Sequence, residues 1–312
     1  MKTFKYIICA VMIALAGSSC KKTLDLAPED YFGDSSFWQN DAQVSNFMVG
    51  IHKQFRDNQF QFFRLGELRG GGFSTVDRQN TSLNELNIIQ QDISEDIPGV
   101  GSWAGLYGPI LQINLFIQKV EAITFLDETK KKTLLGQAYG LRAYYYFHLL
   151  RTYGGVPLSL APDVSNGETD PLALRKARAT EAEVLTQIKS DINQSISLFG
   201  GVTGADKSQW SLNASQMLKG EAYLWSAKVY NTTADLAEAK TALNAVTGSS
   251  LLSNFANVFK TKNNSEIIFT IRYNVGEAEM SVGQFLYSTF NFDSQHYKDS
   301  LATGPLLVDP LK

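Results

Sequence analysis

Apolar side chains recur at helical spacing along residues 134–151 (Leu134, Ala138, Leu141, Tyr145, Leu149), with no proline and no β-branched run to interrupt them. Gly154 and Gly155, followed by Pro157, stop the pattern, which predicts a helix of about five turns. The opposite side carries Tyr146, Phe147 and Leu150, so this helix should be buried on most sides rather than along one stripe. Gly136, Gly140 and Ala143 fall at i, i+4 and i+7, a side-chain-poor line along which a neighbouring helix is expected to approach.

The same periodicity predicts further helices on both sides. One should start at Asp34 or Ser35 and carry Phe37, Trp38, Val44, Phe47, Met48, Ile51 and Phe55. Another runs from Trp103 to Ile123 and turns through residues 125–128 into the central helix, so the two form an antiparallel pair, the unit of a helical repeat. Thr180 with Glu183 makes a capping box ahead of Val184, Ile188, Ile192 and Ile196 or Leu198, and Gly200 and Gly201 end that helix. Asn213 is the expected cap of a fifth helix (Ala214, Met217, Leu218, Ala222, Tyr223, Trp225, Ala227, Val229), and residues 235–246 form a sixth. Two helix pairs with short links predict a mainly α fold: a tetratricopeptide-like helical-repeat core, or α-solenoid, with long irregular loops and little β structure. Ala143 and Phe147 match the A-x3-F element of tetratricopeptide repeats, although the full consensus is absent. Between residues 59 and 101 the periodicity breaks at Gly70–Gly72, Pro98, Gly99 and Gly101, and beyond residue 274 the chain is again loop-like and aromatic.

Composition narrows the chemistry. The 312 residues are 44% hydrophobic and 19% charged with a net charge of -3, as in ordinary globular proteins. No basic block exceeds Lys130–Lys132, which argues against nucleic acid as a partner. Lys2 and Lys5 precede an apolar stretch over residues 6–16 and small residues ending in Cys20, a secretory signal too short for a membrane span. Two readings of Cys20 stand: an incidental residue after an ordinary signal, or the acylated first residue of a lipoprotein, with Gly17 where such signals prefer Leu. No cysteine follows Cys20, which excludes thiol catalysis, thiolate zinc sites and disulfides after it. The three histidines, 52, 148 and 296, have no metal-ligand spacing, and no nucleophile elbow or phosphate loop occurs, so neither a metal, a cofactor nor a catalytic residue is expected. Glycoside cleavage needs only two carboxylates from anywhere in the chain, and nothing nominates a pair. Arg142, inside an apolar helix, needs a Glu or a set of carbonyls to meet it. Residues 69–80 and 287–297 combine aromatic with planar polar side chains, the composition of a sugar-binding surface, and ordinary packing is the alternative for each aromatic.

Residues 141–158, LRAYYYFHLLRTYGGVPL, resemble a signature of SusD/RagB-type proteins. Similar family patterns occur in order at Phe37, Trp38 and Asp41; at Trp103, Tyr107, Ile110 and Asn114; and at Ala179, Thr180, Glu183, Val184, Ile188 and Asp191. They continue at Ala214, Leu218, Lys219, Gly220, Ala222, Tyr223, Leu224 and Trp225, then at residues 255–272, which resemble the family's turn into a short strand. Pro305, Leu306, Val308 and Asp309 look like the opening of the family's C-terminal part. The resemblance implies a non-enzymatic outer-membrane lipoprotein, lipid-anchored through Cys20 and exposed at the cell surface. Such a protein binds nutrient, mostly glycan or oligosaccharide, and passes it to a SusC-like TonB-dependent transporter. Ligand contacts are then expected from Arg69, Phe73, Asp77, Arg78, Tyr287, Phe290 and Phe292. The implied organisation is a signal over residues 1–19, an acylated tether over 20–33, a helical-repeat domain over 34–273, and the start of a ligand-facing region over 274–312, incomplete in a C-terminally truncated chain. Two rival readings are a membrane-anchored tetratricopeptide-type scaffold, with clustered exposed apolar residues on its inner helices, and a glycosidase with two convergent carboxylates.

Overall fold

The computed structural model describes residues 37–70, 73–74, 83–204, 206–274, 276 and 307–308. Two compact units divide the chain, at residues 1–43 and 44–312. In the first, Phe37 and Trp38 pack edge to face at 5.0 Å. Trp38 takes a left-handed φ of 49°, and the Asn40 Oδ1 accepts the Gln43 N–H at 3.0 Å. The first described helix, α1, therefore spans Asp41–Asp57, several residues later than the apolar pattern predicts. Its buried row is Val44, Met48, Ile51 and Phe55.

The segment expected to be irregular contains short elements: α2 (Gln59–Leu65), a 3-10 turn (Glu67–Arg69), β1 (Phe73–Ser74) and α3 (Leu83–Gln90). They are too short to show a period, and packing holds them. Phe62 sits against Tyr144, Tyr145 and His148, while Leu68, Ile88 and Ile89 form a satellite core with Phe63 and Val100. β1 pairs antiparallel with β2 (Leu307–Val308) in the register Phe73 to Val308, the one two-stranded ladder among the described residues.

The scaffold consists of α4 (Ala104–Ala122), α5 (Glu128–Tyr153), α6 (Glu181–Phe199), α7 (Leu212–Val229) and α8 (Asp235–Asn244), followed by the short α9 (Ala256–Lys260). Asp127 caps α5 by accepting the Thr129 and Lys130 N–H groups at 3.0 Å, and Gly154, at φ 70°, ends it. Tyr145, Tyr146 and Phe147 are fully buried, so this helix is enclosed as its two-sided apolar pattern predicts. Along the glycine line a helix approaches as expected at Gly136, whereas a ring takes its place at Gly140. At Gly136, α6 approaches with the Phe199 ring, and Ser195 Oγ donates to the Gly136 carbonyl at 2.6 Å. At Gly140 the space is taken by the indole of Trp210, from the loop before α7, since a flat ring fills a deeper notch than a helix backbone can reach.

The Thr180–Glu183 capping box forms as read, and Gly200 closes α6 in the left-handed region at φ 55°. The buried stripe of α6 continues through Ser195 and Phe199 rather than Ile196 or Leu198. Ser211, not Asn213, caps α7, because Trp210 is drawn into the core. Asn213 instead bonds the backbone of Thr247. Met217 and Val229, expected on the packed face, are exposed. The run 266–272 begins in a turn, bends at Ile268 and Phe269, and forms no strand; Thr270 N–H donates to the Lys207 carbonyl at 2.9 Å, and Phe269 packs on Phe55 and Trp210.

Arg142 is met by an aspartate rather than a glutamate. Its Nε and one terminal nitrogen donate to both oxygens of Asp191, at 2.8 and 2.7 Å, and the other terminal nitrogen donates to Asn114 Oδ1 at 2.9 Å. Burial raises the Asp191 pKa; in Arg142 burial is the largest single influence, but the hydrogen bonds and the charge attraction of Asp191, with the nearby Tyr139 and Tyr146, together raise its pKa, and the guanidinium stays charged. One cluster thus pins α4, α5 and α6. His148, buried between Phe62 and Tyr144, is pushed down to about 3 by burial and by Arg151, so it packs as a neutral ring.

Candidate functional site

Because α4 and α5 run antiparallel, the start of one lies beside the end of the other. Trp103, at the N-cap of α4, meets Tyr153, the last residue of α5, edge to face at 5.5 Å. The Arg178 guanidinium lies 5.0 Å over the Trp103 ring and is fixed by donating to the carbonyls of Gly155 and Tyr153. Tyr153 OH donates to the Ser102 carbonyl at 3.2 Å. The half-buried indole is therefore a rigid platform rather than a loose surface ring.

One depression is lined by Trp103 and a second by Tyr153. The first, of about 310 Å³, is lined by Trp103, Tyr107, Leu111, Ser159, Asp163 and Lys176 among others. Tyr107 OH donates to the Pro157 carbonyl at 2.6 Å, and Lys176 is paired with Asp163. The other, about 210 Å³, is lined by Leu65, Arg69, Ile88, Pro98, Thr152 and Tyr153 among others. Burial raises the pKa of Tyr107 and of Tyr153, the latter opposed by the Arg69 and Arg64 cations, so both phenols stay neutral hydrogen-bonding groups. Apolar ring faces beside an arginine fork, a lysine and a carboxylate suit a ligand with C–H faces and a rim of hydroxyls. The single carboxylate lining these two depressions, Asp163, is committed to Lys176.

Of the residues read from sequence, Arg69 lines the smaller depression, and its carbonyl accepts from Gln91 Nε2 at 3.4 Å. Phe73 lies in β1, whose backbone pairing with Val308 joins the first irregular stretch to the end of the second. Cys20, Asp77, Arg78, Tyr287, Phe290 and Phe292 lie outside the described residues. The sequence reading placed Trp103, Tyr107 and Tyr153 in packed helices and gave Arg178 no role. The available signal was position, since Trp103 and Tyr153 stand at the glycine-marked ends of consecutive predicted helices. Among the described residues no cluster of three or more His, Cys, Asp or Glu could hold a metal, and no helix is long and apolar enough to cross a membrane.

Residues 23–205 match a SusD-like family described as "Starch-binding associating with outer membrane". The chain belongs to this SusD-like family. A SusD superfamily protein from Bacteroides fragilis has a solved structure that superposes with a TM-score of 0.71 at 41% identity, over 80% of this chain and 53% of that one. B. fragilis NanU gives a TM-score of 0.73 at 39% identity, over 83% and 53%. SusD-like protein P38 of Formosa agariphila is 28% identical over 204 residues, 62% of this chain and 38% of that protein. The SusD-like chain thus spans about half the length of these solved relatives, and its tetratricopeptide-like helical fold is theirs.

Proposed function

We propose that this SusD-like protein captures oligosaccharide at the outer membrane and passes it to a SusC-like TonB-dependent transporter without chemically altering it. The observation that carries the reading is the Trp103 platform, clamped between Tyr153 and Arg178, with one depression lined by Trp103 and a second lined by Tyr153. Family membership supports it, since the family is described as starch-binding and associated with the outer membrane. Arg69 and Phe73, with Asp77, Arg78, Tyr287, Phe290 and Phe292 from the aromatic loops, complete the ligand face, and acylated Cys20 holds the protein to the lipid. The scaffold alternative needs exposed apolar residues on the inner helices. Among the described residues the three most exposed large ones, Leu251, Phe255 and Phe259, follow the last long helix, although Met217, Leu224 and Val229 on α7 and Leu236 and Leu243 on α8 are exposed as well.

Titration calorimetry with a broad oligosaccharide panel tests the proposal. At least one glycan should bind, and Trp103→Ala and Arg69→Ala should each weaken it about tenfold or more, because aromatic and arginine anchors dominate such surfaces. Their melting temperatures should stay close to that of the parent. An absence of heat for every glycan would defeat the glycan reading.

A further inference from the structure

A larger cleft, about 590 Å³, opens between α1, the first half of α5 and the segments at 208–209 and 269–272. Its volume falls within the roughly 300–1,000 Å³ of small-ligand pockets. Its floor is apolar, through Met48, Leu134, Phe269 and Ile271, and its walls are polar. Gln137 belongs to that wall, is only 4% exposed, and has a side-chain oxygen with no hydrogen-bond partner among the described residues. Its Nε2 makes a long contact, 3.4 Å, to the Oε1 of the exposed Gln209. A buried acceptor left without a donor costs about 1–3 kcal/mol. Neighbours on the same helix, Leu134, Leu135 and Ala138, show that packing alone is met by apolar side chains.

Three of the cations lining it are already engaged, Lys53 with Asp57 at 2.6 Å, Arg272 with Asp206 at 3.4 Å, and Arg56 with the Arg272 carbonyl at 3.2 Å, and Asp127 accepts the Thr129 and Lys130 N–H groups. That favours a neutral ligand. Asp127, Thr133, Ser208 and the two glutamines supply acceptors and donors above an apolar floor, which is the complement of a sugar ring. We infer that this cleft is a second saccharide pocket, sized for a small neutral sugar, in which one ligand hydroxyl donates to Gln137 Oε1 and the exposed Gln209 amide bonds a neighbouring hydroxyl of the same sugar. Sixteen residues of continuous helix separate Gln137 from Tyr153, about 24 Å at 1.5 Å per residue, so one small sugar cannot occupy both places. The inference therefore does not rest on the ligand assigned to the aromatic face.

The test is NMR of the side-chain N–H signals on protein labelled at glutamine and tryptophan, titrated separately with glucose, galactose, mannose, xylose, maltose and cellobiose. For at least one sugar, the Gln137 and Gln209 amide signals should shift along a common saturating curve. Gln137→Leu and Gln209→Ala should each weaken that binding about tenfold or more. Gln137→Leu should not lower the melting temperature, because it removes an unmatched acceptor; if it fails to fold, Gln209→Ala decides alone. Trp103→Ala should leave the curve unchanged. No shift with any of the six sugars, unchanged affinity in Gln209→Ala, or loss of the curve in Trp103→Ala would each overturn the second pocket. Sugar-induced shifts confined to the Trp103 indole would do the same while leaving the aromatic face standing, and the converse pattern would remove the aromatic face alone.

Discussion

Taking the Arg142 guanidinium and the Asp191 carboxylate out of water costs several kcal/mol per ion. The fold offsets this with three hydrogen bonds to Arg142 and another to Asp191 from Gln187 at 2.8 Å. Removing one partner strands the other. Arg142→Met should therefore cost roughly 3–5 kcal/mol, while Arg142→Met combined with Asp191→Leu should recover a large part of the loss. Urea unfolding of the two single variants and the double variant measures the coupling, and strictly additive losses would mean that the pair does not act as a unit. The need for a partner was legible in one arginine on an apolar helix. The identity of the partner was not, because Asp191 lies 49 residues away and only the assembled α5–α6 contact brings it there.

At the scale of the element, the notch at Gly140 sets local propensity against packing. Alanine is favoured over glycine inside a helix by about 1 kcal/mol, so propensity alone predicts a gain from Gly140→Ala. A Cβ there would stand 2.0 Å from the Trp210 Nε1, which is itself held by Ser215 Oγ at 2.8 Å and cannot step aside. Overpacking should win, for a net loss of about 1–3 kcal/mol. Gly108→Ala in α4, with nothing within 4 Å of the new methyl, should instead hold or raise stability. Thermal unfolding of both variants decides it: a rise in melting temperature for Gly140→Ala would show that Trp210 moves freely. Elements set by local signals, such as the Thr180 capping box, are legible in the amino-acid sequence alone. Ser211 was passed over for Asn213 because both are good caps, and the burial of Trp210 is what chooses between them.

Over the whole molecule, the alternation of paired helices could be read along the chain because each helix packs mainly on its neighbours in sequence. The site could not, since Trp103 and Tyr153 are ordinary helix-end residues until the antiparallel pairing of α4 and α5 sets them together. The proposed lipid anchor is tested at this scale as well. Cys20→Ala should release it from the membrane fraction with its helical circular dichroism intact, because a multiply acylated terminus holds a bilayer firmly and a bare one does not. Retention in that fraction would remove the lipid anchor from the proposal. The tie between α5 and α6 has a different kind of consequence. Ala179 N–H donates to the Val156 carbonyl at 3.0 Å, and Arg178 laces the same strands together, so the residues between them leave and return at one point. Doubling the length of such a closed excursion costs only about 0.6 kcal/mol. The excursion supplies Asp163, Leu174 and Lys176 to one wall of the larger depression beside Trp103, while the platform itself belongs to the fixed side of the knot. On the proposed reading it is an exchangeable cassette: tied to the helices through the backbone of Pro157 and Ser159, it leaves the residues beyond them, and with them the ligand preferred, open to rewriting by descent or design.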